Sequence, residues 1–286
     1  FYIFNLALLI LSLKLNQKRK QMMIVKIGTR ASPLAMAQAL IFQEGLKALG
    51  YDSVLVPVVT TGDRIKERAL AELGGKALFT KELEKALKEA RIDVAVHSMK
   101  DVEHPRPSGL ALAALLPRED PRDVFISPHV KNWQSLPKGA TVGTCSPRRV
   151  AQIHQVRPDL KCLTFRGNIQ TRLRKLSEGQ VMGTWLALAG LKRAGLAHQA
   201  TQILETNEML PAAGQGAIGV ECLAQHHDLV AVLQRLNHLP TWQAVMLERA
   251  FLEQLGGDCH TPAGALAMPL DRKREENNNR DISFAS

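Results

Sequence analysis

The sequence predicts an α/β protein of two similar doubly wound lobes with a cleft between them. Three observations carry this. Apolar strands alternate with amphipathic helical stretches, the order that builds parallel sheets covered by helices. The segment Ile27-Gly28-Thr29-Arg30-Ala31-Ser32-Pro33 is echoed by Val142-Gly143-Thr144-Cys145-Ser146-Pro147. Arginines gather where strands end rather than scattering along helices. In each copy of the echo, Ser sits at the N-cap and Pro at the first helical position, a strong helix start. The free N–H groups of that first turn then face the end of a parallel strand, which makes an anion site twice over.

Taken in order, Ile24 to Ile27 reads as a strand, and Leu34, Ala37, Ile41 and Leu46 space out a helix that stops near Gly50. Val54 to Thr60 is the next strand, followed by a polar loop at Thr61-Gly62-Asp63 and a glycine-hinged turn from Leu73 to Phe79. Thr80 leads into a charged amphipathic helix to about Arg91, and Gly109 to Leu116 is a further strand. Pro117 to Asp123 is charged and proline-flanked, a crossing into a second lobe. There the pattern predicts a helix from Pro147 to about Val156, a strand from Leu160 to Phe165, a helix carrying Arg172, Arg174 and Lys175, and a strand from Val181 to Leu188. Leu210 to Val220 leads into a strand that returns to the first lobe. From His226 the pattern turns helical, with a second helix from Ala244 to Leu255, and beyond Pro269 it becomes polar and non-periodic, a disordered tail.

The 286 residues leave room for more than one domain, since a domain takes roughly 100–200 residues. The formal net charge of +10 favours an anionic partner. Lys and Arg are spread out with no aromatic-interleaved basic motif, so a small polycarboxylate or phosphate fits better than nucleic acid. Cys145, Cys162, Cys222 and Cys259 lie far apart without a C-x-x-C pair, which argues against zinc or a disulfide framework and for a reducing compartment. The apolar run Phe1 to Leu13 is shorter than the roughly 20 residues a membrane span needs. It is read as an extension outside the fold, spanning residues 1–22.

The stretch Asp93-Val94-Ala95-Val96-His97-Ser98-Met99-Lys100-Asp101-Val102 begins as a buried strand and breaks into polar residues at its carboxyl end, where open α/β sheets place ligands. Arg30, Arg148, Arg149, Arg166, Arg172 and Arg193 fall just after predicted strands or on the turns that follow. Arginine's planar fork suits carboxylates and phosphates, so several of them around one cleft imply a ligand with several acidic groups. For any single arginine, a solvated helix face is the alternative. Asp101 stands out as the carboxylate at a strand exit in this positive cleft. The field should keep it ionised, ready to steady a cation forming on the ligand or to exchange a proton with a leaving amine.

These residues resemble the porphobilinogen deaminase (hydroxymethylbilane synthase) family. The likeness rests on Gly28-Thr29-Arg30-x-Ser32-Pro33-Leu34-Ala35, Gly74-Gly75-Lys76-x-Leu78-Phe79-x-Lys81-Glu82-Leu83-Glu84 and His97-Ser98-Met99-Lys100-Asp101. It continues through Arg118 to Asp123, Gly143-Thr144-x-Ser146-x-Arg148-Arg149, Arg166-Gly167-Asn168, Ala189 to Arg193 and Pro211-Ala212-x-Gly214-Gln215-Gly216. The resemblance implies a cytoplasmic, monomeric transferase of tetrapyrrole (haem) biosynthesis that condenses four porphobilinogen molecules into hydroxymethylbilane with loss of ammonia. It implies a type II periplasmic-binding-protein-like pair of lobes plus a small α+β third domain, and a dipyrromethane cofactor held by a thioether to Cys259. Asp101 becomes the catalytic carboxylate, assisting loss of the aminomethyl nitrogen and stabilising the azafulvene cation. Arg30, Ser32, Lys100, Thr144, Ser146, Arg148, Arg149, Arg166, Arg172 and Arg193 bind the acetate and propionate groups. Lys76 and Phe79 belong to a loop over the cleft. No metal, membrane or nucleic acid is implied. The domains are residues 23–119 with 212–224, residues 120–211, and a cofactor-attachment domain at 225–270.

Three features depart from the family pattern. Cys145 stands where many members have Ser. Val181 to Leu186, which includes Met182, stands where the family usually shows an acidic residue and small aliphatics. Overpacking by Trp185 in place of a small aliphatic is expected to cost about 1–3 kcal/mol. The third domain is expected to be cut short, since residues 271–286 carry neither the strands nor the final helix that should follow, and its helices should expose an apolar face. The competing readings are a truncated inactive homologue and a two-lobed binding protein for a small anion, with a nucleic-acid binder last.

Overall fold

The computed structural model describes residues 24–58, 80–102, 107–256 and 261–268. The extension at 1–22, the polar loop at Thr61, the glycine-hinged turn with Lys76 and Phe79, the attachment residue Cys259 and the tail from Asp271 lie outside the described residues.

The first lobe opens with β1 (Val25–Arg30), α1 (Pro33–Ala48) and β2 (Ser53–Val58). Ser32 caps α1, its Oγ accepting from the Ala35 N–H at 3.3 Å. Ala39, Phe42 and Leu46 of α1 are buried on Val25, Ile27, Val94 and Val96. Burying a side chain such as Phe42 or Leu46 stabilises the lobe by about 1.5–3 kcal/mol. On the opposite face α2 (Lys81–Lys88) packs Leu83, Ala86 and Leu87 against Ile92 and Ala95. Successive residues of β3 (Val94–Ser98) therefore serve both layers, as strand alternation requires. β4 (Leu110–Leu115) and β10 (Ile218–Leu223) complete a five-stranded sheet of order β2-β1-β3-β10-β4. β10 runs antiparallel to both neighbours.

The second lobe contains β5 (Asp123–Ile126), β6 (Thr141–Gly143), α3 (Pro147–Val156), β7 (Lys161–Leu163), α4 (Ile169–Ser177), β8 (Gly183–Ala187), α5 (Leu188–Arg193) and β9 (Gln202–Ile203). Its sheet order is β7-β6-β8-β5-β9, with β6 parallel to β7 and β8 and β5 antiparallel to β8 and β9. The two sheets repeat each other strand for strand, so the Gly-Thr and Ser-Pro echo reflects a repeated architecture. Each lobe borrows its antiparallel strand across a crossover: β5 follows the first crossing, and β10 follows the second. Neither β5 nor β9 was read from the sequence. β5 hides behind the charged run ending at Asp123, and β9 has only two residues.

Trp185 does not crowd its strand as expected. It is wholly buried and pairs in register with Phe125, their rings 5.0 Å apart and tilted, with Trp133 meeting it edge-on at 5.9 Å. Gly183, on the same face two residues earlier, leaves the space. A Cβ there would come 2.4 Å from Phe125 Cε2.

α6 (His227–Gln234) sets Leu229 and Leu233 into the first-lobe core. α7 (Leu239–Gln254) starts five residues before the predicted Ala244, because the His238 ring accepts from the Thr241 N–H and Pro240 occupies the first turn. Leu247, Phe251 and Leu255 are 64%, 52% and 56% exposed at four-residue spacing, so the apolar helix face expected from the sequence is present. Among the described residues no helix is long and apolar enough to cross a membrane.

Candidate active site

The exit of β3 is held from three sides. Met99 begins a 3-10 turn, Met99–Asp101, and is fully buried with Val102, Leu115, Ala217 and Val245. Its sulfur fills the space beside Gly219, where a Cβ would lie 2.2 Å from Sδ. The Met99 N–H donates to the Ala217 carbonyl at 3.0 Å, and Arg249 of α7 donates to the carbonyl of Val102 at 3.0 Å. Anchored at Met99 and Val102, the turn presents Lys100 half-buried and Asp101 exposed. Asp101 shares a pocket with Arg30, Ser32, Gln38, His97 and Ser98. Three first-lobe members of the predicted set, Arg30, Ser32 and Asp101, are thus together, while the fourth, Lys100, reaches Gln215 instead. Behind them, His97 Nε2 lies 2.9 Å from a buried carboxylate oxygen of Glu221.

In the second lobe Ser146 caps α3, accepting from the Arg149 N–H at 3.4 Å, and Thr144 Oγ1 accepts from the Ser146 N–H at 3.2 Å. Arg148 and Arg149 are only 4% and 5% exposed, which rules out a solvated helix face for this pair. Both are gripped by Asp123, which sits fully buried at the head of β5. Arg148 Nη2 donates to Oδ2 at 2.7 Å, and Arg149 donates through Nε to Oδ2 at 3.0 Å and through Nη2 to Oδ1 at 2.8 Å. Burial alone would raise the Asp123 carboxyl, but Arg149 and Arg148 override it and hold the group well below the usual carboxylate range. Arg149 also donates to the Trp185 carbonyl at 2.7 Å.

Lys100 faces this cluster. Desolvation pushes its ammonium below the ordinary lysine range, with Arg149 and Arg148 adding to the effect and Asp101 and Asp123 opposing it. Arg172, donating to the Gly167 carbonyl at 2.8 Å and toward Cys145 Sγ at 3.5 Å, also feels the Asp101 charge. Arg193 is placed differently: its Nη2 donates to the Gly216 carbonyl at 2.6 Å, at the crossovers. Arg166 follows β7, half-buried, with its carbonyl 3.4 Å from Lys175 Nζ. Asp123 and Gln215 were not picked out as site residues, although both stand inside motifs quoted above. Their signal is a polar residue at a crossing, two positions after Pro121 for Asp123 and between two glycines for Gln215. Among the described residues no cluster of His, Cys, Asp and Glu could hold a metal ion.

A family model described as porphobilinogen deaminase, dipyromethane cofactor binding domain, matches residues 25–231. The chain belongs to the porphobilinogen deaminase family. Porphobilinogen deaminase of the rice chloroplast is 50% identical over 250 residues, covering 85% of this chain and 70% of that protein. The porphobilinogen deaminases of Albidiferax ferrireducens and Sphingopyxis alaskensis are 49% and 50% identical, covering 86% and 85% of this chain and 78% and 79% of theirs. Among solved structures, a periplasmic substrate-binding protein from Coxiella burnetii superposes with a TM-score of 0.46 at 14% identity, covering 82% of this chain and 99% of that one. So loose a likeness adds nothing to the sheet order above. The matched family domain binds a dipyrromethane cofactor. Such an oligocarboxylate fits the donors present here: Lys100, Arg172 and the buried Arg148–Arg149 pair, beside the exposed carboxylate of Asp101.

Proposed function

We propose that this chain condenses four porphobilinogen molecules head to tail into hydroxymethylbilane, releasing one ammonia per step, with Asp101 as the catalytic carboxylate. The observation that carries this is the Met99–Asp101 turn, which sets an exposed Asp101 next to a half-buried Lys100 facing Arg148, Arg149 and Asp123. Porphobilinogen brings an acetate, a propionate and an aminomethyl nitrogen, so it needs cations for the first two and an anion near the third. The bound cofactor supplies the pyrrole carbon to which the first substrate is added. This chain's residues do the rest. Lys100, Arg172 and the spare N–H groups of Arg148 and Arg149 orient the carboxylates. Arg148 Nε, buried and without a hydrogen-bond partner among the described residues, is one such spare donor. Arg30 and Ser32 serve the same purpose in the first-lobe pocket, Thr144 and Ser146 in the second lobe, and Arg166 and Arg193 at its margins. Asp101 steadies the positive charge that develops as ammonia leaves and then takes up the pyrrole proton.

The same reading assigns the cofactor thioether to Cys259, the cleft loop to Lys76 and Phe79, and the domains to residues 23–119 with 212–224, 120–211 and 225–270. It takes the protein as a cytoplasmic monomer. The test is turnover by the purified chain from porphobilinogen-producing cells. Ammonia equal to the porphobilinogen consumed, with a linear tetrapyrrole in the product, is the expected result. Binding of porphobilinogen without ammonia release would leave an anion-binding protein instead.

A further inference from the structure

Gln215 sits where the two lobes and both crossovers meet. Its side chain is almost wholly buried, and the Nε2 end belongs to the second lobe, donating to the Pro121 carbonyl at 2.6 Å and to Asp123 Oδ1 at 2.8 Å. The Oε1 end belongs to the first lobe, accepting from Lys100 Nζ at 3.4 Å. A cation on one side and a carboxylate on the other fix which way the amide points. Its backbone is equally constrained. The Gln215 carbonyl accepts from Arg118 Nε at 2.8 Å, and Gly214 and Gly216 on either side have φ of +71° and +88°. A Cβ on Gly214 would lie 2.9 Å from Met99 Cβ, and one on Gly216 would lie 2.3 Å from the Glu119 carbonyl oxygen. Two glycines are therefore needed to press this segment between the Lys100 turn and the first crossover.

We propose that Gln215 is a positioning residue that couples Lys100 in the first lobe to the Arg148–Arg149 pair in the second through Asp123. A ligand carboxylate drawn to Lys100 changes the partner of one end of the amide. The other end transmits the change to the carboxylate that orients both arginines. One side chain thereby lets the two halves of the cleft adjust together as the bound pyrrole chain changes length. This inference rests on the function proposed above, which makes both halves bind carboxylates of one ligand.

The experiment compares the full chain with Gln215→Met, Lys100→Met and the double variant. Two readouts are used: kcat/KM for porphobilinogen, and calorimetric affinity for a pyrrole bearing acetate and propionate arms but no aminomethyl group. Gln215→Met should lower both by roughly tenfold, and by less than about threefold once Lys100 is already Met, because contacting residues are not additive. Amide hydrogen exchange in the ligand-free protein reads the coupling without activity. The Met99 N–H, bonded to Ala217, should exchange faster in Gln215→Met. Losses that multiply independently in the double variant, or unchanged exchange at Met99 together with unchanged affinity, overturn the proposal. If Gln215→Met does not fold, Gln215→Asn keeps the amide but is one carbon too short to reach both sides, and carries the same expectations. A wild-type chain that neither turns over nor binds the pyrrole counts against the proposed function, while the exchange comparison still decides the coupling.

Discussion

Asp123 holds Arg149 side-on, with Oδ2 accepting from Nε at 3.0 Å and Oδ1 from Nη2 at 2.8 Å in a fully buried fork. Arg148 adds a third bond to the same carboxylate at 2.7 Å. Two buried guanidinium groups thus depend on one anion. Removing one partner of a buried pair leaves uncompensated charge, so Asp123→Asn should cost about 3–5 kcal/mol of folding stability by urea titration. The pH dependence follows from the depressed Asp123 carboxyl. Stability from this group is complete above the unfolded carboxylate value of about 3.9 and is lost as pH falls through the lower folded value. The wild type should therefore lose stability faster than Asp123→Asn between about pH 4 and 2. Parallel acid titrations of the two proteins would contradict this assignment.

Asp101 is exposed, so Asp101→Asn should leave the melting temperature nearly unchanged. Ammonia release should fall by about 10²–10⁴-fold, the range for loss of a proton-transfer or charge-stabilising group. A variant that turns over at near-normal rate removes Asp101 from the chemistry.

In the proposed role Lys100 can hold a carboxylate only as the ammonium, and burial beside Arg149 and Arg148 moves its titration down from the ordinary lysine value. The profile of kcat/KM against pH should fall on the alkaline side below about 10.4, the value of free lysine. Lys100→Arg, always protonated, should flatten that limb even where geometry costs it overall efficiency. An alkaline limb unchanged in Lys100→Arg assigns it to another group.

Much of this was legible in the sequence. The Ser-Pro helix starts, the strand exit at Lys100 and Asp101 and the return of β10 all leave local patterns: caps, apolar runs and breaks. What was missed depends on contacts between distant segments. Asp123 read as one more charge in a charged crossing, because its arginine partners lie 25 and 26 residues away along the chain. Gln215 entered only as part of a Gly-Gln-Gly motif with no role of its own, because its partners belong to the other crossover and to the β3 exit. Trp185 read as overpacked, because the space that admits it comes from Gly183 and the position of Phe125 in the neighbouring strand.

That last relationship makes a core prediction. Gly183→Ala places a methyl against the Phe125 ring and should destabilise by about 1–3 kcal/mol. Trp185→Phe should cost little, under about 1 kcal/mol, because the buried indole N–H it removes has no hydrogen-bond partner among the described residues. Thermal melts of the two variants decide it. A neutral Gly183→Ala would show that the strand can shift to relieve the contact.

The central claim is that this chain carries a dipyrromethane cofactor on Cys259 and extends it with porphobilinogen. Intact-protein mass spectrometry of the chain purified from porphobilinogen-producing cells tests it most directly. The account predicts a mass excess equal to two linked pyrrole units that is lost in Cys259→Ser, with further pyrrole increments on brief exposure to porphobilinogen. Folded protein with an unmodified Cys259 and no increments would contradict it.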